Sequence, residues 1–431
     1  MISKKRHETS FEVAIVGAGP AGLSLATELG QRYSVALIEK SRILVTKKAW
    51  GIAELDGFRA DDDLVLNRLT KGTIRIWEPG QYHDFTSQMP DGTSIALLDE
   101  KKVKSKWAKV ARENCTVYEN TAYVDFEYVD RGIRIKTTGG FITAKLLVDA
   151  SGYDSSIMKQ LGLGNQTDYL VPTYGGYVRN ASFPDIQNGI GIVVYPTKEI
   201  FSEYFPVTEQ KGCVWIFRIL TQQEFAKKSE KDWISDLRGA YKTLISKDPE
   251  MKGSELYAER YGVIPMKKGQ RKAADRILLV GDAGGSTPYS MLGFNVIYKH
   301  YRHVAEQISS KIDTGKLDRR SLEGITFNRG NRFSGIVAPL MIQSVTALDP
   351  EDVLDITRKL KERNLFDEFT EMQAYAMDDS LRFHHMMAFI KKLSRLTWNE
   401  KIDTFRDFNK FLSVKEMSRI AYAALREMIK K

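Results

Sequence analysis

Four short apolar runs punctuate the chain, at residues 11–16 (FEVAIV), 34–38 (SVALI), 146–152 (LLVDASG) and 276–280 (RILLV). Each is bounded by turn residues and rich in β-branched or aliphatic side chains, the pattern of a buried strand. After the first run, Leu25 and Leu29 stand four residues apart, which predicts a helix packed on that strand. Between 171 and 220 the pattern changes to alternation, with strand-like runs at 171–179, 190–195, 203–207 and 214–220. From about 311 onward it is helical and charged. Within that region, residues 383–398 (FHHMMAFIKKLSRLTW) set Met386, Met387, Ile390, Leu393 and Leu396 on one stripe beside Lys391, Lys392 and Arg395. No apolar run approaches the roughly 18–20 residues a membrane-spanning helix needs.

The turns between these elements carry the chemistry. The first strand runs straight into Gly17-Ala-Gly19-Pro20-Ala21-Gly22, and a helix follows. A strand, a Gly-rich turn and a helix in that order form the dinucleotide fingerprint in its required context. Gly17 permits the tight turn, Gly19 lets a pyrophosphate approach the backbone, and Gly22 brings helix and strand together. The helix start offers unpaired N–H groups and a partial positive charge to phosphate. Glu39 ends the second strand about 20 positions beyond the glycines, where it can accept bonds from ribose hydroxyls. It would repel a 2′-phosphate, so FAD or NAD fits. Lys40, Val124 and Gly152 complete the nucleotide-binding set.

A second strand-to-turn unit follows residue 280, Gly281-Asp282-Ala283-Gly284-Gly285, and leads through Pro288 and Met291 to Gly293, Phe294 and Asn295. Asp282 can accept from a ribityl hydroxyl. The helix that starts near Gly293 can point its N-terminus at the pyrophosphate or at the electron-rich end of the isoalloxazine. NAD alone has no use for this second grip, whereas FAD does. The order of the pieces predicts an α/β fold: a discontinuous, glutathione-reductase-type Rossmann FAD-binding domain over 1–160 and 262–310. Insertions fall at about 42–95 and at 161–261, the latter a β-rich substrate domain. A helical C-terminal region covers 311–431.

Composition narrows this picture. The 431 residues are 42% apolar and 28% charged, as in a folded protein of two or three subdomains. The first eleven residues hold Lys4, Lys5 and Arg6 but no apolar stretch, so no secretory leader is expected. Only Cys115 and Cys213 are present, without metal-ligand spacing, and the adjacent His384 and His385 make no metal site, so no metal is expected. The expected home is the reducing cytoplasm, with peripheral membrane contact through 383–398 as an open alternative. The net charge of +9 comes from lysines dispersed along the chain, and no nucleic-acid-binding module accompanies it.

Together these residues resemble the FAD-dependent lycopene cyclase and geranylgeranyl reductase branch of the flavoprotein hydroxylase-like superfamily. Residues 50–56 (WGIAELD) sit where lycopene cyclases carry a YGVWVDE-like segment. Residues 98–107 (LDEKKVKSKW) are similar to the family's RVNRKQLKSK-type helix, 149–152 (DASG) to its DATG run and 173–176 (TYGG) to its AYG segment. Tyr204-Phe205-Pro206 and Ile264-Pro265 also match. Two departures stand out. Residues 214–219 (VWIFRI) lack the FxEET acid pair of lycopene cyclases, and Met291 replaces the first glycine of the PxxGxG pattern, which implies a reshaped wall beside the flavin. The tryptophan-halogenase WxWxIP signature is absent.

The resemblance implies reduction or cyclisation of an isoprenoid or polyene with reduced FAD and a protein acid. Such an acid needs a pKa raised by apolar surroundings, and aromatic walls to steady developing positive charge. Glu54 and Asp56 are the first candidates, because their segment follows the second nucleotide strand, and Glu203 is the next. Tyr204, Trp215, Phe217 and Met291 are expected to line the cavity for the hydrophobic small molecule, with Phe205 beside them. With one dinucleotide fingerprint only, NAD(P)H would visit transiently, or an electron-donor protein would supply the electrons. The alternative is a monooxygenase or halogenase acting on an aromatic compound through a flavin hydroperoxide. A third reading is a flavin-binding scaffold without turnover.

Overall fold

A computed structural model of the chain describes residues 9–43, 49–78, 81–163, 167–194, 201–267, 272–285, 287, 292–325, 327, 337, 349–378, 380–410, 419–420 and 422. Among them, Thr9–Val16 lies inside an eight-stranded sheet. Its main path runs Ala273–Ala274, Ile277–Leu279, Gly140–Asp149, Thr9–Val16, Val35–Ile38 and Thr116–Tyr118. From Ile277–Leu279 to Thr116–Tyr118 the strands are parallel. Parallel strands are covered on both faces, and all four residues of Val35–Ile38 are accordingly buried. One face packs on the helices Pro20–Leu29, Glu100–Asn114 and Gly293–Asp313 through Leu23, Leu25, Trp107, Val296 and Val304.

The strand Gly140–Asp149 is shared along its length. Its first half pairs antiparallel with Gly132–Thr137, which continues to Tyr123–Val129, while Leu147–Asp149 pairs parallel with Ile277–Leu279. The four apolar runs of the sequence thus meet in one sheet, as their β-branched composition predicts.

A second eight-stranded sheet follows the order Leu220–Thr221, Thr167–Arg179, Lys211–Phe217, Phe201–Thr208, Asn188–Val194, Lys71–Glu78 and Gln81–Gln88, and Glu255–Lys267 also pairs with Thr167–Arg179. The sheet therefore draws on more of the chain than residues 161–261. The hairpin 71–88 joins it because Lys71–Glu78 pairs parallel with Asn188–Val194. Buried Arg75 fastens that hairpin from beneath, bonding Asp84, Asp248 and Glu250.

Thr167–Arg179 is flanked closely on both sides at Gly175 and Gly176. A Cβ on Gly175 would strike the Val214 carbonyl, and one on Gly176 the Ala258 carbonyl. Helix Glu230–Lys247 covers one face of the sheet with Trp233, Leu237, Tyr241 and Leu244, and a capping box of Ser229 and Asp232 fixes its start. The opposite face looks toward a three-stranded sheet of Ala49–Glu54, Ser94–Asp99 and Val65–Leu69.

Helices Arg319–Glu323, Pro350–Glu362, Phe366–Met377, Phe383–Ser394 and Trp398–Asn409 lie in the C-terminal region. Among the described residues no helix is long and apolar enough to cross a membrane.

Candidate functional site

The fingerprint turn is shaped by contact. Gly17 has φ 102°, and a Cβ there would collide with the Ala150 carbonyl. A Cβ on Gly22 would strike the Gly17 carbonyl, so helix and turn touch backbone to backbone. Gly19 is different, because a Cβ there meets nothing within 4 Å. Its missing side chain serves no packing within the protein and leaves space beside the first turn of the helix. Pro20 opens that helix at a position that needs no N–H partner, and Ala21 is buried behind it, with Gly281 packed against its methyl.

Glu39 ends Val35–Ile38 with its carboxylate aimed back at the turn, accepting from the Ala18 N–H at 2.8 Å and from Ser41. Lys40 beside it is exposed. Val124 is 46% exposed and lies at a bulge of the outer hairpin, between the pairs of Tyr123 and Asp125. Gly152 has φ 96° and open space around it. Just before it, buried Asp149 accepts from Ser151 and Ser155 and ties that turn shut.

At the other end, Thr287 donates to Asp282, and the same threonine occupies the place a Cβ on Gly293 would need. The helix Gly293–Asp313 begins there without a side-chain cap, leaving its first N–H groups available to a ligand. Asn295 is wholly buried, accepts from the Ala53 N–H at 3.0 Å and donates to Asp378 at 2.8 Å. Its side chain is therefore committed to protein, so a cofactor would meet Asn295 through its backbone. The Phe294 ring is likewise taken up, stacked on Trp50 at 3.7 Å between ring centres. What these two residues leave for a cofactor is their backbone at the helix start.

The expected acids separate clearly. Glu54 is buried and receives both Arg68 guanidinium donors, the Ser94 hydroxyl and the Ala60 N–H. Burial alone would raise its carboxyl, but Arg68, Ser94 and Ala60 together hold it below the usual carboxylate range. Glu54 is a structural carboxylate and not the raised acid expected. Asp56 occupies a left-handed turn, φ 53°, and is exposed, so it too lacks the apolar enclosure a proton donor needs.

Glu203 comes nearer to that enclosure, half-buried among aromatic neighbours. It faces Trp215 across paired strands, one step along from the stacked Phe201 and Phe217. Phe201 and Phe217 pack with Ala53 and Leu55, while Phe205 and Cys213, on the other side of Glu203, pack with Ala49 and Leu97. Glu203 and half-buried Trp215 thus sit on the face turned toward Ala49–Glu54. Desolvation pushes the Glu203 carboxyl up to about 7.

Strand alternation sends Tyr204 the other way. It is fully buried in the cluster with Leu237 and Tyr241, its hydroxyl 3.3 Å from Asp248, which corrects its expected place in the cavity wall. Met291 lies outside the described residues. Two groups that sequence reasoning missed are Lys299 and Asp378, a buried pair 2.5 Å apart that joins Asn295 to the C-terminal helices. The only sequence signal for them was a lysine four positions after Asn295.

The cradle fits FAD. Open space at Gly19, a helix start behind it, the Glu39 carboxylate and the uncapped helix at Gly293 are groups of the kind that pyrophosphate, ribose and flavin require. A family model described as an FAD binding domain matches residues 10–54. No curated protein matches the chain. Among solved structures, the chain is similar to a geranylgeranyl bacteriochlorophyll reductase-like protein from Thermoplasma acidophilum, at 14% identity and TM-score 0.67, covering 93% of this chain and 99% of that one. It is also similar to halogenase PltM in complex with phloroglucinol and FAD, at 13% identity and TM-score 0.62, covering 95% and 98%. The anhydrotetracycline hydroxylase OxyS from Streptomyces rimosus follows at 18% identity and TM-score 0.56, covering 86% and 76%. At these identities the likeness is one of fold. The chain is thus an FAD-binding flavoprotein built on the fold of the FAD-dependent oxidoreductases.

Proposed function

We propose that the protein reduces or cyclises a hydrophobic alkene, of isoprenoid or polyene type, with Glu203 as the proton donor. The observation that carries this reading is a desolvated carboxyl among Phe201, Trp215 and Phe217, on the sheet face turned toward Ala49–Glu54. In this reading the 17–22 turn holds the pyrophosphate, Glu39 the adenosine ribose, Asp282 the ribityl chain, and the backbone at Gly293–Asn295 the flavin end. When bound, FAD supplies the hydride that a net reduction consumes.

The chain's own residues handle the proton and the charge. Neutral Glu203 gives its proton to an alkene carbon and is left as a carboxylate. The faces of Trp215 and Phe217 attract the positive charge that grows on the substrate. Apolar walls at Phe201, Val171 and Leu381 exclude the water that would quench it.

The test is anaerobic incubation of the FAD-loaded protein, chemically reduced, with isoprenoid alkenes, and mass analysis of the products. Turnover that falls by roughly 100-fold or more in Glu203→Gln, with FAD retained, is the expected result. Oxygen uptake driven by an aromatic compound, with no anaerobic alkene conversion, would overturn it in favour of a monooxygenase or halogenase.

A further inference from the structure

The last two described helices are amphipathic in opposite senses. Helix Phe383–Ser394 buries His385 and Phe389 and leaves Met387 and Ile390 41% and 37% exposed. Helix Trp398–Asn409 turns a polar face inward: buried Thr404 accepts from Arg363 at 2.6 Å, and buried Asp407 accepts from Lys359 at 3.1 Å. Its outward stripe is apolar, with Trp398 74%, Ile402 42% and Phe405 54% exposed, at the i, i+4, i+7 spacing of one helix face. Between the helices lies a groove of about 540 Å³ lined by Ile390, Leu393, Trp398, Ile402 and Phe405. Single exposed apolar residues need no explanation, but five on one hairpin mark an interaction surface.

The charges around this surface say what it meets. Residues 383–410 hold six lysines and arginines against three acids. Glu400 is taken by the Thr397 cap, Asp407 by Lys359, and Asp403 lies beside Arg406. Lys391, Arg395 and Lys401 have no acidic partner among the described residues. An apolar stripe with an exposed tryptophan, rimmed by unpaired cations, has the chemistry of a helix lying at an anionic bilayer surface. A second copy of the chain would bring a rim of the same sign.

We infer that the 383–410 hairpin docks on anionic phospholipid membranes. Trp398, Ile402 and Phe405 enter the acyl boundary, and Lys391, Arg395 and Lys401 meet the headgroups. The docking helix also reaches the interior, because Phe383 and Met386 pack in the cluster of Ala53, Phe201 and Phe217. A membrane-borne substrate would then have a short route inward, a corollary that rests on the proposed function as the docking itself does not.

The test is co-sedimentation of the full-length FAD-loaded protein with vesicles of phosphatidylcholine alone or with one quarter phosphatidylglycerol, at low and high salt. Binding to the anionic vesicles is expected to exceed neutral binding by roughly tenfold or more, and to weaken at high salt. Trp398→Ser with Phe405→Ser is expected to lose binding to the anionic vesicles by at least roughly tenfold, with flavin absorbance and melting temperature retained. Lys391→Glu with Lys401→Glu, which leaves the apolar stripe intact, is expected to abolish the preference for anionic lipid. Failure of the wild-type protein to bind anionic vesicles would overturn the inference. So would wild-type binding by both double variants, or a dimer that the Trp398/Phe405 variant dissolves in the absence of vesicle binding. Loss of alkene turnover with vesicle binding intact would sink the proposed function and leave this inference standing.

Discussion

Two glycines three positions apart in one motif serve different ends. A methyl at Gly22 strikes backbone, whereas a methyl at Gly19 enters open space. Gly22→Ala is therefore expected to destabilise the protein by about 1–3 kcal/mol, read from denaturant midpoints. Gly19→Val is expected to cost the cofactor-free protein about 1 kcal/mol or less while FAD affinity falls roughly 100-fold, a contrast that titration of flavin fluorescence measures. Glu54 and Glu203 differ in the same way. With its carboxyl held low, Glu54 stabilises the fold above its unfolded pKa, and that stability is lost as pH falls through the folded value. Glu54→Gln is expected to cost about 2 kcal/mol at neutral pH, because Arg68 loses its buried anion and keeps only the exposed Asp62. Glu203 has the opposite sign: its contribution is fully present below its unfolded pKa and is lost as pH rises through about 7. The proton-delivering step should decline above that pH, and a pH–rate profile under anaerobic conditions checks it. The glycines and Glu39 were legible because short contiguous spacing carries their meaning. The roles of the acids were not, because Arg68 lies 14 residues from Glu54 and Trp215 meets Glu203 only through strand pairing.

At the scale of elements, strand periodicity was informative and face assignment was not. The runs near 171–179, 203–207 and 214–220 all form strands, yet the pattern alone could not say which side of the sheet would meet the helix Glu230–Lys247. Tyr204 went to that side and Trp215 to the other. The hairpin 71–88 was harder still. Its parallel bond to Asn188–Val194 spans more than a hundred residues, and two of the partners of Arg75, Asp248 and Glu250, are equally remote. The Lys299–Asp378 pair is the element-scale counterpart of the fingerprint, joining the helix that starts at Gly293 to the end of Phe366–Met377. Asp378→Ala would leave a buried ammonium unpaired. The expected cost is about 3–5 kcal/mol, with faster hydrogen exchange concentrated in Phe366–Met377 and the first turns of Gly293–Asp313.

For the whole molecule, the net charge of +9 acquires a location as well as a size, since much of the basic excess at the C-terminal end gathers on the hairpin inferred to dock on lipid. That outcome was half legible in the stripe at 383–398. The second half, Trp398–Asn409, was hidden because its inward face is polar and its outward face apolar, the reverse of what a sequence pattern assumes. The nucleotide sheet carries a different global consequence through the divided strand Gly140–Asp149. Its neighbours Thr9–Val16 and Gly132–Thr137 precede it in the chain, but Ile277–Leu279 comes more than a hundred residues later. During synthesis the edge of Leu147–Asp149 waits unpaired for on the order of ten seconds while the second sheet is made. The order of translation thus supplies the strands of the inserted sheet before the nucleotide sheet can close, and any chain released before residue 277 carries the open edge of Leu147, Val148 and Asp149.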